Sequence, residues 1–144
     1  MKRLKTIFII TACLFNLVSC SSKQETLKTF DKENLTIKYD SNIFTLLEKE
    51  YYILFYTPKC KACLDTLKYV EYKYNEKNFD IYLINVLESS VMYNKQITSN
   101  INCNDIEDFY LFKTPYLITL QERIIIDEAG GFSEIRTYLN QKLS

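Results

Sequence analysis

Residues 51–76 constrain the fold of this chain more than any other stretch. Residues 51–57, Tyr-Tyr-Ile-Leu-Phe-Tyr-Thr, form an almost unbroken apolar run, the pattern of a strand covered on both faces in the middle of a sheet. Only Pro58 and Lys59 separate it from Cys60-Lys61-Ala62-Cys63, and Leu64, Leu67, Val70 and Tyr74 then follow at helical spacing. The run predicts a strand that feeds a helix over 60–76, with two thiols at the junction. Positions i and i+3 share a helix face, so Cys60 and Cys63 can close or reopen a disulfide without large backbone movement. A reversible dithiol is therefore the first chemistry to test.

The flanking sequence alternates in type. Residues 35–39 alternate apolar and polar as a half-buried strand does, and Asp40 or Ser41 is placed to cap a short helix over 42–49 with Ile43, Leu46 and Leu47 inward. Residues 79–87 are strand-like and strongly apolar. Residues 90–112 read as helix in two pieces, interrupted at 100–104. Residues 116–120 and 123–127, separated by Gln121-Glu122, read as a tight hairpin. Gly130-Gly131 gives a turn, and 133–143 is a closing helix with Phe132, Ile135, Tyr138 and Leu139 inward. Alternating strands and helices imply a parallel βαβ core, and the hairpin adds antiparallel strands. The expected fold class is α/β, a three-layer sandwich with a central mixed sheet and flanking helices.

The N-terminus speaks to location. Lys2, Arg3 and Lys5 precede an apolar stretch over 6–18, broken only by Thr11 and Asn16 and too short for a membrane span of about 20 residues. This is the pattern of an export signal. It ends in Leu17-Val18-Ser19-Cys20, which resembles a lipobox. That resemblance implies a diacylglyceryl group on the Cys20 sulfur and cleavage that makes Cys20 the mature N-terminus. An uncleaved anchor, or an ordinary secretory signal in which Cys20 is incidental, is the alternative. Two or more acyl chains hold a protein on a membrane stably, whereas one gives marginal binding.

The expected organisation is thus a signal peptide over 1–19, a lipidated N-terminus and tether over 20–34, and one folded domain over 35–144. Between Ser21 and Asn34 only Leu27 and Phe30 are large and apolar, and as a coil that stretch spans on the order of 20 Å. Removing 1–19 turns 18 basic against 18 acidic residues into 15 against 18. A mildly acidic chain with no basic cluster gives no reason to expect a nucleic-acid partner.

The order of elements from Leu35 onward, with C-x-x-C between the second strand and its helix, Thr114-Pro115 before the hairpin and glycines after it, resembles the thioredoxin-like superfamily. Both prolines sharpen the likeness: Pro58 lies two residues before Cys60, and Pro115 occupies the position of the family's cis-proline. An ordinary trans proline opening a strand is the plain alternative. The resemblance implies that Thr114 and Pro115 form a substrate-binding loop. Cys60, at a helix N-terminus where unpaired N–H groups and the macrodipole favour a thiolate, is the expected nucleophile, with Lys59 and Lys61 as further thiolate-stabilising charges. Cys63 is the expected resolving thiol, attacking the mixed disulfide between Cys60 and substrate.

Three departures limit the likeness. Lys59 stands where the family usually has Trp, with Tyr56 at the earlier aromatic position. Leu54 replaces a buried Asp that accepts the proton of the second cysteine, and Lys61-Ala62 matches neither reductases, oxidases nor isomerases, so the redox direction stays open. The chain has no His. Proton transfer then falls to water or to a carboxylate such as Asp65 or Glu71, both of which fit equally well as solvated helix residues. Cys103 is either a buried small hydrophobe or a third thiol near the site.

The sequence therefore points to an extracytoplasmic, lipid-anchored thiol–disulfide oxidoreductase of the cell envelope. It needs no cofactor, exchanges with exported protein thiols or disulfides, and as a reductase draws electrons from a membrane donor. The competing reading is an accessory or binding lipoprotein, of the bacteriocin accessory type for example, that holds Cys60–Cys63 as a structural disulfide. A metal site is disfavoured, because zinc and copper sites of this kind want His beside Cys.

Overall fold

The computed structural model describes residues 28–47 and 49–144. The expected signal peptide, Cys20 and the start of the tether lie outside the described residues. Strand β1 (Tyr51–Tyr56) is buried at all six positions. It lies inside a four-stranded sheet of order β2-β1-β3-β4, made with β2 (Ile81–Asn85), β3 (Tyr116–Gln121) and β4 (Ile124–Gly130). β1 and β2 are parallel, while β1–β3 and β3–β4 are antiparallel. The register sets Tyr56 beside Asn85 and Phe55 beside Tyr116. The end of β1, the end of β2 and the start of β3 therefore share one rim of the sheet, which brings Pro58 and Pro115 to the same place.

The two faces are covered differently. Over one lie α2 (Lys61–Lys77) and α3 (Phe132–Lys142), whose Cys63, Leu67, Val70, Tyr74, Ile135 and Leu139 pack on Leu54, Leu83 and Leu117. Over the other, Ile43, Phe44, Val91, Phe109 and Leu111 cover Ile53, Phe55, Ile118 and Leu120. This is the expected mixed-sheet sandwich. One layer is regular helix, and the other is short turns and irregular chain.

Element by element, the helical side follows the sequence pattern. α2 begins one residue later than expected, because Cys60 is its N-cap in extended conformation. It stops at Asn78, which adopts φ 50° and donates its N–H to Tyr74 O at 2.8 Å. The hairpin turn falls on Glu122-Arg123, one residue beyond the expected Gln121-Glu122, and both residues have positive φ, as a two-residue hairpin turn requires. A bulge between Thr119 and Leu120 shifts the register opposite Ile126. Because side chains alternate with period two, that extra residue lets Ile125 enter one core cluster while Ala129 enters the other.

The first expected strand, over 35–39, is reduced to one bridge, Thr36 to Leu83, with Ile37 N donating to Leu83 O at 2.9 Å. Asp31 explains the loss: its carboxylate accepts from the N–H groups of Glu33 and Asn34 at 3.0 and 3.3 Å and starts a helical turn, α1 (Lys32–Leu35), that consumes Leu35. The short helix expected over 42–49 is a 3-10 turn, Ser41–Phe44, capped by Asp40. The expected strand over 79–87 ends at Asn85, where the side chain caps a second 3-10 turn, Val86–Glu88.

The helix expected in two pieces over 90–112 does not form. Short polar side chains there bind nearby backbone instead: Asn94 accepts from Gln96 N at 2.9 Å, Ser99 from Ile101 N at 3.2 Å, and Asp105 from Glu107 N at 3.0 Å. Such local bonds compete with the helical ladder. Asn100 then fixes the segment as a whole. It is 4% exposed, accepts from Tyr110 N at 3.1 Å, and donates to Tyr110 O and to the Tyr116 hydroxyl, both at 3.0 Å.

Residues 28–34, expected as the end of a tether, lie against the domain. The Phe30 ring meets Tyr74 edge-on at 5.5 Å, and the Lys32 ammonium sits 5.0 Å from the centre of the Tyr56 ring.

Candidate active site

The site is built where β1 runs out. Cys60 N donates to Thr57 O at 3.3 Å, which folds Thr57-Pro58-Lys59 into a turn and delivers Cys60 to the N-cap of α2. The Cys60 sulfur accepts from the Cys63 N–H at 3.3 Å, and its carbonyl accepts from Leu64 N at 3.1 Å. One of the unpaired N–H groups at the start of α2 thus points at the sulfur, the arrangement in which a helix start favours negative charge. Cys60 is half-buried and Cys63 is fully buried, so one sulfur is reachable and the other is not. Both are free thiols.

The second wall is the loop before β3. The Thr114–Pro115 peptide is cis, as the family resemblance implies, and the Pro115 carbonyl accepts from Gly131 N at 2.8 Å. That bond ties the loop to the start of α3, where Gly131 takes φ 87°, a conformation suited to glycine. Lys113 adds a second tie: its side chain lies across Gly130 and reaches Glu134 at 3.4 Å, while the same carboxylate accepts Gly130 N at 3.0 Å. The Gly130 N–H, and then Lys113, hold the Glu134 carboxyl below the usual carboxylate range.

Burial pushes the Cys63 thiol up, and the adjoining Cys60 sulfur acts in the same direction; the Thr57 backbone and the Thr114 side chain pull it back. The chain thus brings Cys60, Cys63, Thr114 and Pro115 together. Lys59 and Lys61 flank Cys60 as exposed side chains. Leu54 is fully buried among the residues under α2, and Asp65 and Glu71 are not among the groups that act on the Cys63 thiol.

Cys103 takes neither expected role cleanly. It is half-buried, packs against the core on the other side of the sheet, and its thiol donates to Asp105 O at 3.1 Å. Burial pushes that thiol up.

One site residue escapes the sequence pattern. Tyr93 bridges in parallel to Leu111, with Leu111 N donating to Met92 O at 2.9 Å and Asn94 N to Leu111 O at 3.0 Å. This sets its phenol near Thr114 and both thiols; burial pushes the phenol up and Thr114 pulls it down. No motif marks Tyr93, because its position depends on a pairing across an irregular segment.

No protein-family model matches the chain, and the comparison with curated proteins gives no match. Solved structures do match. The thioredoxin of Malassezia sympodialis is 19% identical over 76% of this chain and 90% of its own, with a TM-score of 0.54. The thioredoxin of Trypanosoma brucei brucei is 13% identical, covering 84% and 92%, with a TM-score of 0.56. The thioredoxin pre-protein of Schistosoma mansoni is 14% identical, covering 76% and 96%, with a TM-score of 0.55. The chain has a thioredoxin-like fold.

Proposed function

We propose that this protein is a thiol–disulfide oxidoreductase that exchanges disulfides with exported proteins through Cys60 and Cys63. One observation carries the reading: a reachable sulfur at the N-cap of α2 lies beside a buried second thiol and against the cis-proline loop. The Cys60 thiolate attacks a substrate disulfide, forming a mixed disulfide and expelling one substrate thiolate. Cys63 then attacks the Cys60 sulfur, closing the Cys60–Cys63 bond and releasing the second substrate thiolate, so two electrons pass from protein to substrate. Thr114 and Pro115 present the edge along which an extended substrate chain lies. With exchange partners of lower reduction potential than the Cys60–Cys63 pair the same steps run in reverse.

Location rests on the sequence. Cys20 as a lipidated N-terminus places the domain in the cell envelope, held to the extracytoplasmic side of a membrane, where disulfides persist. Among the described residues no helix is long and apolar enough to cross a membrane. A membrane electron donor is the partner a reductase of this kind requires.

The buried Leu54, in place of an acid under Cys63, supports a second reading, an accessory lipoprotein whose Cys60–Cys63 disulfide is structural. Insulin reduction by the full chain, beside a Cys63→Ser variant that retains mixed disulfides, separates the two. The catalyst turns over, the variant traps exported proteins, and Cys60→Ser abolishes both. A redox potential below about −300 mV, rather than roughly −270 to −120 mV, with no turnover and no trapped protein, sinks the catalyst. Loss of radiolabelled palmitate on Cys20→Ala tests the anchor.

A further inference from the structure

We propose that Asn100, Tyr116 and Glu128 form a hydrogen-bonded clamp that sets the position of the Thr114–Pro115 loop and so makes the site selective for polypeptide disulfides over small ones. The inference rests on the dithiol reading above and names what fixes its substrate edge. Asn100 is 4% exposed and Tyr116 0%. Burying an amide and a phenol costs stability unless each polar atom is bonded, and once bonded such a network favours one arrangement. Among the described residues no buried side-chain N or O lacks a partner.

Asn100 grips both ends of the loop over 110–116. At one end its side chain accepts from Tyr110 N at 3.1 Å and donates to Tyr110 O at 3.0 Å; at the other its Nδ2 donates to the Tyr116 hydroxyl, also at 3.0 Å. Thr114 and Pro115 lie between these points, and the Phe112 ring packs edge-on 4.9 Å from that of Tyr116. Glu128 locks the grip. The register of β3 and β4 puts it opposite Ile118, on a diagonal from Tyr116, and its Oε2 accepts both from Asn100 N at 2.8 Å and from the Tyr116 hydroxyl.

Donors and acceptors match throughout. The two Nδ2 hydrogens of Asn100 go to Tyr110 and Tyr116, and the phenol hydrogen goes to the carboxylate. Burial, and then Glu128, push the Tyr116 phenol up, so it keeps that hydrogen near neutral pH. A bond to a carboxylate is about twice as strong as a neutral one. The three side chains act through the backbone of Pro115, the residue before Tyr116, and are positioning residues. A small disulfide needs only the half-buried Cys60 sulfur, whereas a polypeptide must also lie along Thr114 and Pro115. Displacing the loop therefore penalises the second and spares the first.

The test mixes the reduced full chain with insulin or with 2-hydroxyethyl disulfide and follows formation of the Cys60–Cys63 bond by acid quench and peptide mapping, so that other cysteines do not interfere. Tyr116→Phe removes one oxygen and Glu128→Leu removes the acceptor. Each is expected to slow the reaction with insulin about tenfold, short of the roughly 10²-fold that a 1 Å misplacement can cost, and to leave the small-disulfide rate at the wild-type value. Glu128→Gln recovers the insulin rate, because both bonds fall on Oε2 and an amide can keep that oxygen in place. If Glu128→Leu does not fold, Tyr116→Phe carries the comparison. Equal slowing with both disulfides in folded Tyr116→Phe, an unchanged insulin rate, or Glu128→Gln as slow as folded Glu128→Leu overturns the clamp. Failure of the wild type to form the Cys60–Cys63 bond with either probe instead overturns the dithiol reading itself, so the two failures are distinct.

Discussion

The two layers that flank the sheet do the same work by different means. The α2–α3 layer is regular: its buried side chains recur at helical spacing and its backbone bonds are local. The opposite layer has short turns and the irregular chain over 89–115, yet it buries Val91, Phe109 and Leu111 against the same strands. Phe109 stacks on Phe55 at 5.0 Å and lies 6.1 Å from Tyr39. Covering a sheet needs apolar area and satisfied backbone groups, and a helix is one way to supply both. Here Asn100 and a few Asx turns supply the second requirement.

If the irregular layer is true core, truncation there matches truncation under the helices. Phe109→Ala is expected to destabilise by about 3–5 kcal/mol and Leu139→Ala by about 2–5 kcal/mol, read from urea unfolding of each. A loss below about 1 kcal/mol at Phe109 breaks the equivalence. Next in size is Asn100→Ala, which strands the backbone N–H and C=O of Tyr110 and is expected to cost about 2–3 kcal/mol, with faster amide exchange at Tyr110. Its counterpart on the helical layer, Asn140→Ala, removes only the exposed bond from the Tyr69 hydroxyl and should stay within about 0.5 kcal/mol.

A gain is expected at the hairpin, where Glu122 and Arg123 hold φ 51° and 69°. Replacing them with Asn and Gly relieves a left-handed cost of about 1–2 kcal/mol per residue, so the double variant should melt higher. The smallest effect belongs to Glu134. Its lowered folded-state value means that its contribution is present above the ordinary carboxylate range and fades as pH falls through the depressed value. Glu134→Gln should therefore cost a few tenths of a kcal/mol at neutral pH, since the pair is exposed and screened, and nothing in strong acid. Unfolding curves at several pH values give the comparison.

What could be read in advance follows the same division. β1, α2, the hairpin and α3 announce themselves because buried faces repeat with a fixed period, and Cys60, Cys63 and Pro115 because residue types stand at recognisable spacings. Residues 90–112 carry enough apolar side chains to suggest helix, but Asn94, Ser99, Asn100 and Asp105 each bind backbone close by or across the loop, and no period records that. Leu35 was part of a convincing alternation until Asp31 drew it into a helical turn. Tyr93 reaches the thiols only through a pairing with Leu111 that no local pattern encodes.

The wandering segment also reaches the far side of the sheet. Asn102 N donates to Ile125 O at 2.8 Å and Ile125 N to Cys103 O at 2.9 Å, while Glu128 accepts from Asn100 N at 2.8 Å. An outermost strand left bare is a template on which another polypeptide can zip up. In this protein the outward N–H and C=O of Ile125 on β4 are already occupied from within, so a stretch of chain that forms no helix of its own shields that part of the edge.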